Sequence, residues 1–546
     1  MLRTDLIAPI GELLRRQADA RATKTAFADA RRAVTYGDLV RRTGNLAGHL
    51  ADLGIGPGES VALLLPNSVE WVEACFAVSR AGAVAVPIGY EATQAEILYR
   101  LGDAGCRGVI TTDERAELIA RLRCKLPTFA AAIFSDRSGT GGDGPRFSRL
   151  AEVAPAAQPR DPTNIDQPAY ILYTSGTTGR AKGVLLSIRG MLWVTAACWA
   201  PICQLSERDS VLSPLPLFHS YALNLSALSV LATGASAFLM ERFSTDETLR
   251  RLQGGAYTLM PGVPTMFHYL LQRVREEMRS ETPGEPWAGA AVRRLAGLRL
   301  CISAGAIMSA TLNREFERVF AVPLLDGYGI TETSTMVTMN WPAGGRVLGS
   351  CGIPVPGLAV RIIDPRTDLD VSSEAEGELV VRGPNVMLGY HNKPEETETA
   401  LRGGWYRTGD LARSDADGFL TITGRLKELI IRGGQNIAPA EIEEVANAFA
   451  PVLDSAAVGI PHVHLGEVPA LFIVARPGTS IDAQALLDHC AEQLSAYKLP
   501  HSVHVVAEIP RTGSGKIIRF KLREMLLGEA DAGGRGDAQR AIDRTR

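Results

Sequence analysis

Two glycine-studded loops in this chain end in lysine: Thr174-Ser-Gly-Thr-Thr-Gly-Arg-Ala-Lys182-Gly183 and Arg511-Thr-Gly-Ser-Gly-Lys516. Only eight lysines stand against 49 arginines, so a lysine kept at each loop marks a place where a compact, flexible point charge serves and a planar guanidinium does not. Phosphate chemistry is such a place. In the first loop Gly176 and Gly179 let backbone NH groups approach an anion, and Thr174, Ser175, Thr177 and Thr178 add hydroxyl donors. The loop is not a Walker A motif, which ends Gly-Lys-Ser/Thr, because Lys182 is preceded by Ala181 and followed by Gly183. For either loop taken alone, a solvated Gly/Ser/Thr turn is the alternative.

These loops need elements to hold them. Ala169–Tyr173 is β-branched and aromatic and predicts a buried strand, and a helix is expected from Ile188, giving the phosphate-cradling order of strand, glycine loop and helix. Residues 34–110 alternate expected helices with short apolar strands such as Ser60–Leu65 and Gly82–Pro87. A Gly/Pro/Asp/Ser-rich segment at 135–146 reads as an exposed loop. A second α/β stretch covers 168–340, a more β-like one covers 347–423 and includes Gly377–Arg382, and a smaller α/β unit follows Lys427. No tandem repeat is present.

At 546 residues the chain exceeds the size of a single core, so two or more domains are expected. A hydrophobic content of 46%, a charged content of 21% and a net charge of −3 fit a globular enzyme and give no broad attraction to nucleic acid or anionic lipid. The eight cysteines are scattered without a CxxC pair, which reads as buried thiols of a reducing compartment. No apolar stretch approaches the ~20 residues that span a bilayer, so a cytoplasmic location is expected.

The Thr174–Gly183 loop resembles the signature loop of the adenylate-forming superfamily, which contains acyl-CoA synthetases, peptide-synthetase adenylation domains and luciferases. Further segments agree in order: Pro216-Leu-Phe-His219, Asp326-Gly327-Tyr328-Gly329-Ile-Thr331-Glu332, Tyr406-Arg-Thr-Gly-Asp410, Gly424-Arg425-Leu-Lys427 and the Lys516 loop. The resemblance implies an α/β fold, with a large multi-subdomain N-terminal adenylate-forming domain at 1–423, a hinge at 424–427, a small mobile α/β C-terminal domain at 428–527 and a disordered tail at 528–546. It also implies ATP and Mg²⁺, with the Thr174–Lys182 loop on the β- and γ-phosphates. Thr331 would contact the α-phosphate, Glu332 would hold the metal, Asp326 to Gly329 would border adenine with Tyr328 stacked nearby, and Asp410 and Arg425 would take the ribose. Lys516 would bridge the carboxylate and α-phosphate oxygens, a charge-neutralising role suited to joining two anions. His219 would position and gate the carboxylate rather than transfer protons. Trp405 and Tyr406 read as packing residues.

Amino-acid-activating relatives carry an aspartate after the phenylalanine of the Pro216 segment. Here His219 follows Phe218, which argues against an amino acid. Phe218-His-Ser-Tyr221-Ala-Leu-Asn224 is similar to a segment of 4-coumarate:CoA ligases whose tyrosine faces an aryl acid, with Leu225 standing where those enzymes commonly have serine. By the same resemblance Tyr221, Leu225, Ser303, Ala304, Gly305, Ala306, Thr335 and Met336 line the acyl cavity, and Gly433 and Gly434 of Ile430–Ile437 border a pantetheine tunnel. Ile188 departs from the histidine that many relatives carry. The expected reaction is ATP-dependent activation of an aryl or short- to medium-chain acid as acyl-AMP, then thioester formation with coenzyme A. The alternative delivers the acyl group to a carrier protein or an amine, including ATP-dependent diazotisation of an arylamine with nitrite. A homodimer is compatible with either.

Overall fold

The computed structural model describes residues 2–126, 128–137, 144–174, 181–281, 295–433, 435–512 and 515–532. The chain forms two compact units: Met1–Val360 with Val381–Arg407, and Arg361–Val380 with Thr408–Arg546.

Two sheets organise the first unit. One has seven strands in the order Gly389–Tyr390, Lys182–Ser187, Pro168–Thr174, Val84–Pro87, Ser60–Leu64, Gly108–Thr112, Ala131–Ser135. Its centre is parallel, and Ser60–Leu64 is buried along its whole length, as a strand covered on both faces must be. The second sheet has nine strands, and its parallel core includes Leu259–Gly262, Leu300–Ser303 and Leu324–Tyr328. The Val69–Arg80 helix has residues buried all round its circumference, which explains why its sequence lacks a polar face. Its one fully buried carboxylate, Glu73, is paired with Arg32 and Arg42, as a charge removed from water requires.

The strand–loop–helix expectation at Thr174 is corrected here. Lys182–Ser187 is a strand antiparallel to Pro168–Thr174, and the helix begins after it, at Ile188, capped by the Ser187 side chain on the Gly190 NH. The glycine loop therefore closes a hairpin and does not lead into a helix N-terminus. The apolar run Val184-Leu-Leu186 is what extends the chain: it has a sheet edge to pair with and a core face to fill.

In the second unit a four-stranded sheet runs in the order Ala359–Ile363, Gly377–Arg382, Tyr406–Ser414, Leu420–Arg425. A further sheet is built on the long Val452–His462/Gly466–Ala475 hairpin, with Pro439–Ala448 and Ala483–Gln493 packed around Ile430, Ile442, Leu471 and Leu486. Arg519, at the start of the Arg519–Ala532 helix, pairs with Glu428 and Glu443 and so ties the segment just after Lys427 to the end of the chain. That helix continues past residue 528. Among the described residues no helix is long and apolar enough to cross a membrane, and seven of the eight cysteines are buried.

Candidate active site

Thr174 and Lys182 face each other across the hairpin, at the base of the glycine loop. Ser175, Gly176, Thr177, Thr178 and Gly179 lie outside the described residues. The flanks are firmly held. Tyr99 donates its hydroxyl to the Ala181 carbonyl at 2.8 Å, Tyr173 donates to Asp103 at 2.6 Å, and the Gly183 carbonyl accepts from the His391 NH at 2.7 Å. Gly183 is required by packing, since a Cβ there would sit 2.7 Å from Ile171 Cγ2.

The short Gly389–Tyr390 strand, paired with Lys182–Ser187, brings in a residue that the motifs did not single out. The Lys182 ammonium lies 5.0 Å from the centroid of the Tyr390 ring, and the Tyr390 hydroxyl donates to Glu332 Oε1 at 3.1 Å. Tyr390 is also hydrogen-bonded to Tyr406, so Tyr406 does more than fill space. Burial first, and then the neighbouring Glu332 charge, push the Tyr390 hydroxyl above its ordinary value, which keeps it a donor. Trp405, by contrast, carries the Arg382 guanidinium 4.8 Å from its ring centroid.

Glu332 sits in a single 3₁₀ turn, Thr331–Thr333, directly after the strand Leu324–Tyr328. Its own carbonyl accepts from Met387 NH at 2.8 Å, and Thr331 Oγ1 lies 3.5 Å from Ser220 Oγ. The chain then passes through left-handed backbone at Ser334 (φ 52°) and Thr335 (φ 112°), a strained pair held by tight packing. Gly329 makes that packing possible: a Cβ there would fall 1.4 Å from the Thr335 carbonyl oxygen. Gly327 similarly makes room for Met336, whose Cε lies 2.4 Å from the position of a Cβ. Between these segments Asp326 is buried with no partner at Oδ1, and burial pushes its carboxyl well above the usual carboxylate range.

Leu225, Ala304 and Met336 belong to one apolar cluster, with Tyr221 and Tyr328 packed against it. Tyr221 donates its hydroxyl to the Ile302 carbonyl at 3.0 Å, and its ring stacks on Trp199 with centroids 6.1 Å apart and planes at 26°. Both aromatics are presented by wide π-helical turns or their edges, Thr195–Trp199 and Leu223–Leu228, a distortion often found at functional sites. Asn224 locks the two together. Its Oδ1 accepts from the Trp199 indole at 2.7 Å and its Nδ2 donates to the Met191 carbonyl at 2.7 Å. Phe218 packs on His219 with ring centroids at 4.2 Å, and its ring edge lies 3.1 Å from where a Gly89 side chain would begin. Ser303 is fully buried, Gly305 has φ 89°, and Ala306 is exposed beyond the strand end.

In the second unit, Asp410 and Arg425 are register partners on neighbouring strands and form an ion pair at 2.7 Å, with Asp410 buried. Lys427 is exposed. Gly433 turns the Ile430–Arg432/Gln435–Ile437 hairpin at φ 58°, and its NH donates to Leu465 at 2.7 Å; Gly434 lies outside the described residues. Lys516 follows a turn in which its NH donates to Thr512 Oγ1 at 3.1 Å and its carbonyl accepts from the Thr512 NH at 2.8 Å. Arg511 stakes that turn, donating to the Gly515 carbonyl at 2.8 Å while pairing with Asp454. Among the described residues no group of three or more His, Cys, Asp or Glu side chains gathers as a metal cage. A single carboxylate such as Glu332, oriented by a phenol and followed by a turn rich in hydroxyls, suits Mg²⁺ brought in on phosphate oxygens.

Residues 14–391 match the family model of the AMP-binding enzyme and residues 441–516 that of the AMP-binding enzyme C-terminal domain. The chain is 33% identical over 501 residues to a feruloyl-CoA synthase of Amycolatopsis sp., covering 91% of this chain and 95% of that one. It is 32% identical over 562 residues to a long-chain-fatty-acid–CoA ligase of Yersinia pestis, covering 97% and 96%. Among solved structures, an anthranilate CoA ligase in complex with anthranoyl-AMP aligns with a TM-score of 0.87 at 27% identity, covering 97% of this chain and all of that one.

Proposed function

The chain belongs to the AMP-binding enzyme family of adenylate-forming acyl-CoA synthetases, and from that premise we propose that its acid substrate is an aryl acid or an acid of modest length. The enzyme activates a carboxylic acid with ATP and passes the acyl group to coenzyme A. In the first half-reaction a carboxylate oxygen attacks the α-phosphorus and the bond to the β-phosphate bridge breaks, releasing pyrophosphate. In the second, the thiol sulfur adds to the acyl carbon, its proton is lost, and AMP leaves with the oxygen of the mixed anhydride.

The first step brings two anions together, so its main requirement is neutralisation of charge at fixed positions. Lys182 and the hydroxyls of Thr174, Thr177 and Thr178 are assigned to the β- and γ-phosphates, Thr331 to the α-phosphate, and Asp410 with Arg425 to the ribose. The buried carboxyl of Asp326, which burial pushes well above the usual carboxylate range, is assigned to the adenine border with Gly327, Tyr328 and Gly329. Glu332 would hold Mg²⁺, which when bound screens the triphosphate. Lys516 is assigned to the carboxylate and α-phosphate oxygens during adenylation, and a swing about Lys427 would replace it with the Gly433–Gly434 turn for the thiol step. His219 holds the carboxylate by position.

The acid class rests on one observation. The Tyr221 ring, fixed by its hydrogen bond to Ile302 and backed by the fully buried Trp199 that Asn224 holds, offers a flat aromatic surface beside the buried Ser303–Ala304 strand end. Relatives of nearly equal identity act on feruloyl and on long-chain acyl groups, so identity does not choose the acid and this surface carries the choice. No charged side chain meets a substrate ammonium next to Phe218, where His219 stands. A cytoplasmic location and a homodimer are part of this reading.

The test is mass-resolved product detection with purified protein, Mg·ATP and a panel of benzoic, cinnamic and aliphatic acids plus nitrite, with and without coenzyme A. Aryl-CoA thioester formed with a clear preference over aliphatic acids is the expected result. A preference for long aliphatic chains overturns the acid assignment, and AMP-ester that accumulates without thioester redirects the acceptor to a carrier protein or an amine.

A further inference from the structure

Tyr390 touches two of the charged groups assigned to Mg·ATP, the carboxylate of Glu332 and the ammonium of Lys182. Its hydroxyl donates to Glu332 Oε1 at 3.1 Å while its ring face carries the Lys182 ammonium at 5.0 Å. The residue reaches this place through a two-residue strand: Gly389 pairs with Leu185 and Tyr390 with Val184, next to the Lys182–Gly183 end of the hairpin. Gly389 takes φ 147°, and a side chain there would press on Thr397, whose Oγ1 accepts the Tyr390 NH at 2.8 Å. Behind Tyr390, the Tyr406 hydroxyl shares a hydrogen bond with it. Glu332 and Lys182 lie 150 residues apart in sequence, and among the described residues this phenol is the side chain seen in contact with both.

We propose that Tyr390 is a positioning residue that couples the phosphate lysine to the metal carboxylate, its hydroxyl orienting Glu332 and its ring holding Lys182. The two halves act by different physics. A hydrogen bond to one carboxylate oxygen restrains the plane of the group. An ammonium over a phenol face is held by the ring quadrupole, in a direction but without a rigid contact, which suits a cation that must also reach phosphate. Donation by the hydroxyl to an anion enriches the ring in electron density, so the carboxylate contact strengthens the lysine contact. The inference rests on the nucleotide roles assigned above and not on the acid or the acceptor.

Removing the hydroxyl and removing the ring therefore have separable effects, both measurable with ATP alone. Calorimetric titration with ATP in EDTA reads the lysine half, and repeating it across a Mg²⁺ series reads the carboxylate half. Tyr390→Phe is expected to leave metal-free ATP affinity within about twofold, because the ring remains, while raising the Mg²⁺ concentration at the midpoint about tenfold, the scale of one hydrogen bond to a charged group. Tyr390→Leu is expected to show the same metal shift and also to weaken metal-free ATP binding by about threefold or more. Tyr406→Phe should move the Mg²⁺ midpoint in the same direction by a smaller factor, with metal-free affinity unchanged. In a Glu332→Ala background the Tyr390→Phe shift should vanish, which a merely structural tyrosine would not produce. The proposal is overturned if Tyr390→Phe leaves the Mg²⁺ midpoint within twofold, or if it weakens metal-free binding as much as Tyr390→Leu does. Should the leucine variant unfold on thermal melting, the Phe variants and the Glu332→Ala background decide. Since neither acid nor coenzyme A is present, failure here is distinct from failure of the acyl-CoA reading.

Discussion

Within the first unit, the residues assigned to the nucleotide and those assigned to the acid both adjoin the strand Leu324–Tyr328, yet they are held by opposite means. In the first unit a polar contact orients the charge assigned to the nucleotide, Tyr390 on Glu332; in the second unit, described by itself, Arg425 pairs with Asp410 and Arg511 holds the Lys516 turn. On the acyl side, Leu225, Ala304 and Met336 are placed by packing in a common apolar cluster with Tyr221 against it, and Asn224 is the polar lock. A charge aimed at a reacting group loses its effect when removed, whereas a packed wall can be reshaped. Substitutions on the first side should stop chemistry for every acid, and substitutions on the second should change which acid is used.

The largest separation is expected at Lys516. Lys516→Ala removes the cation assigned to the meeting anions, and loss of one such preorganised group costs about 10²–10³ in rate. Adenylation, followed as acid-dependent pyrophosphate release, should fall by at least that factor, while thioester formation from pre-made acyl-AMP should stay within a few-fold. Equal loss of both half-reactions would show that the lysine only holds its turn, a task the Thr512 and Arg511 contacts already perform.

Next comes Asp410. Replacing it by alanine removes an acceptor for ribose and leaves Arg425 without its carboxylate, so the KM for ATP should rise about ten- to hundredfold with the acid preference unchanged. The penalty should shrink when 2′-deoxyATP replaces ATP, because one of the two hydroxyls that Asp410 would hold is then absent. A penalty of the same size with both nucleotides would move the role of Asp410 from the ribose to the sheet.

Tyr221→Ala tests the other side of the comparison. Removing the Tyr221 ring should lower kcat/KM for the preferred aryl acid about tenfold to a hundredfold, the scale of hydrophobic pocket discrimination, while the KM for ATP stays put. A broad loss across aliphatic and aryl acids alike would mean that the ring supports the Ile302 strand end more than the substrate.

These expectations divide as the sequence reading did. The glycine loop stands out as a local string of residue types suited to phosphate, whereas the roles of the Tyr328–Glu332 run, Asp410, Arg425 and Lys516 come from the family resemblance of their motifs. The α/β layering is legible from apolar runs bounded by glycine and proline. Tyr390, Trp199 and Asn224 were not, because their meaning lies in partners far along the chain: Glu332 is 58 residues from Tyr390, and Asn224 is 25 from Trp199. Nothing in Leu388-Gly-Tyr390 announces a carboxylate partner, although a tyrosine after a glycine in a polar stretch is a signal worth following. The strand Lys182–Ser187, between the glycine loop and the expected helix at Ile188, was not legible for a related reason. Helix and strand compete for Val184-Leu-Leu186 locally, and the free edge of Pro168–Thr174 decides the outcome.

An effect of a different kind concerns Asp326, and it appears in stability and not in the reaction. Its carboxyl is buried, and its folded-state value lies well above the ordinary one. A group raised in this way contributes its full stability below the unfolded carboxylate value near ~3.9. As the pH climbs from there toward the raised value, the unfolded state releases the proton and the folded state keeps it, so stability falls by at most about 1.4 kcal/mol per pH unit. Asp326→Asn is close in shape, carries no titrating proton and removes this slope. Thermal melts in the absence of nucleotide should therefore place the variant near the parent at pH 5 and increasingly above it toward pH 8. A constant difference across that range would mean that Asp326 is ionised in the folded protein and that a cation or a donor, rather than burial alone, sets its charge.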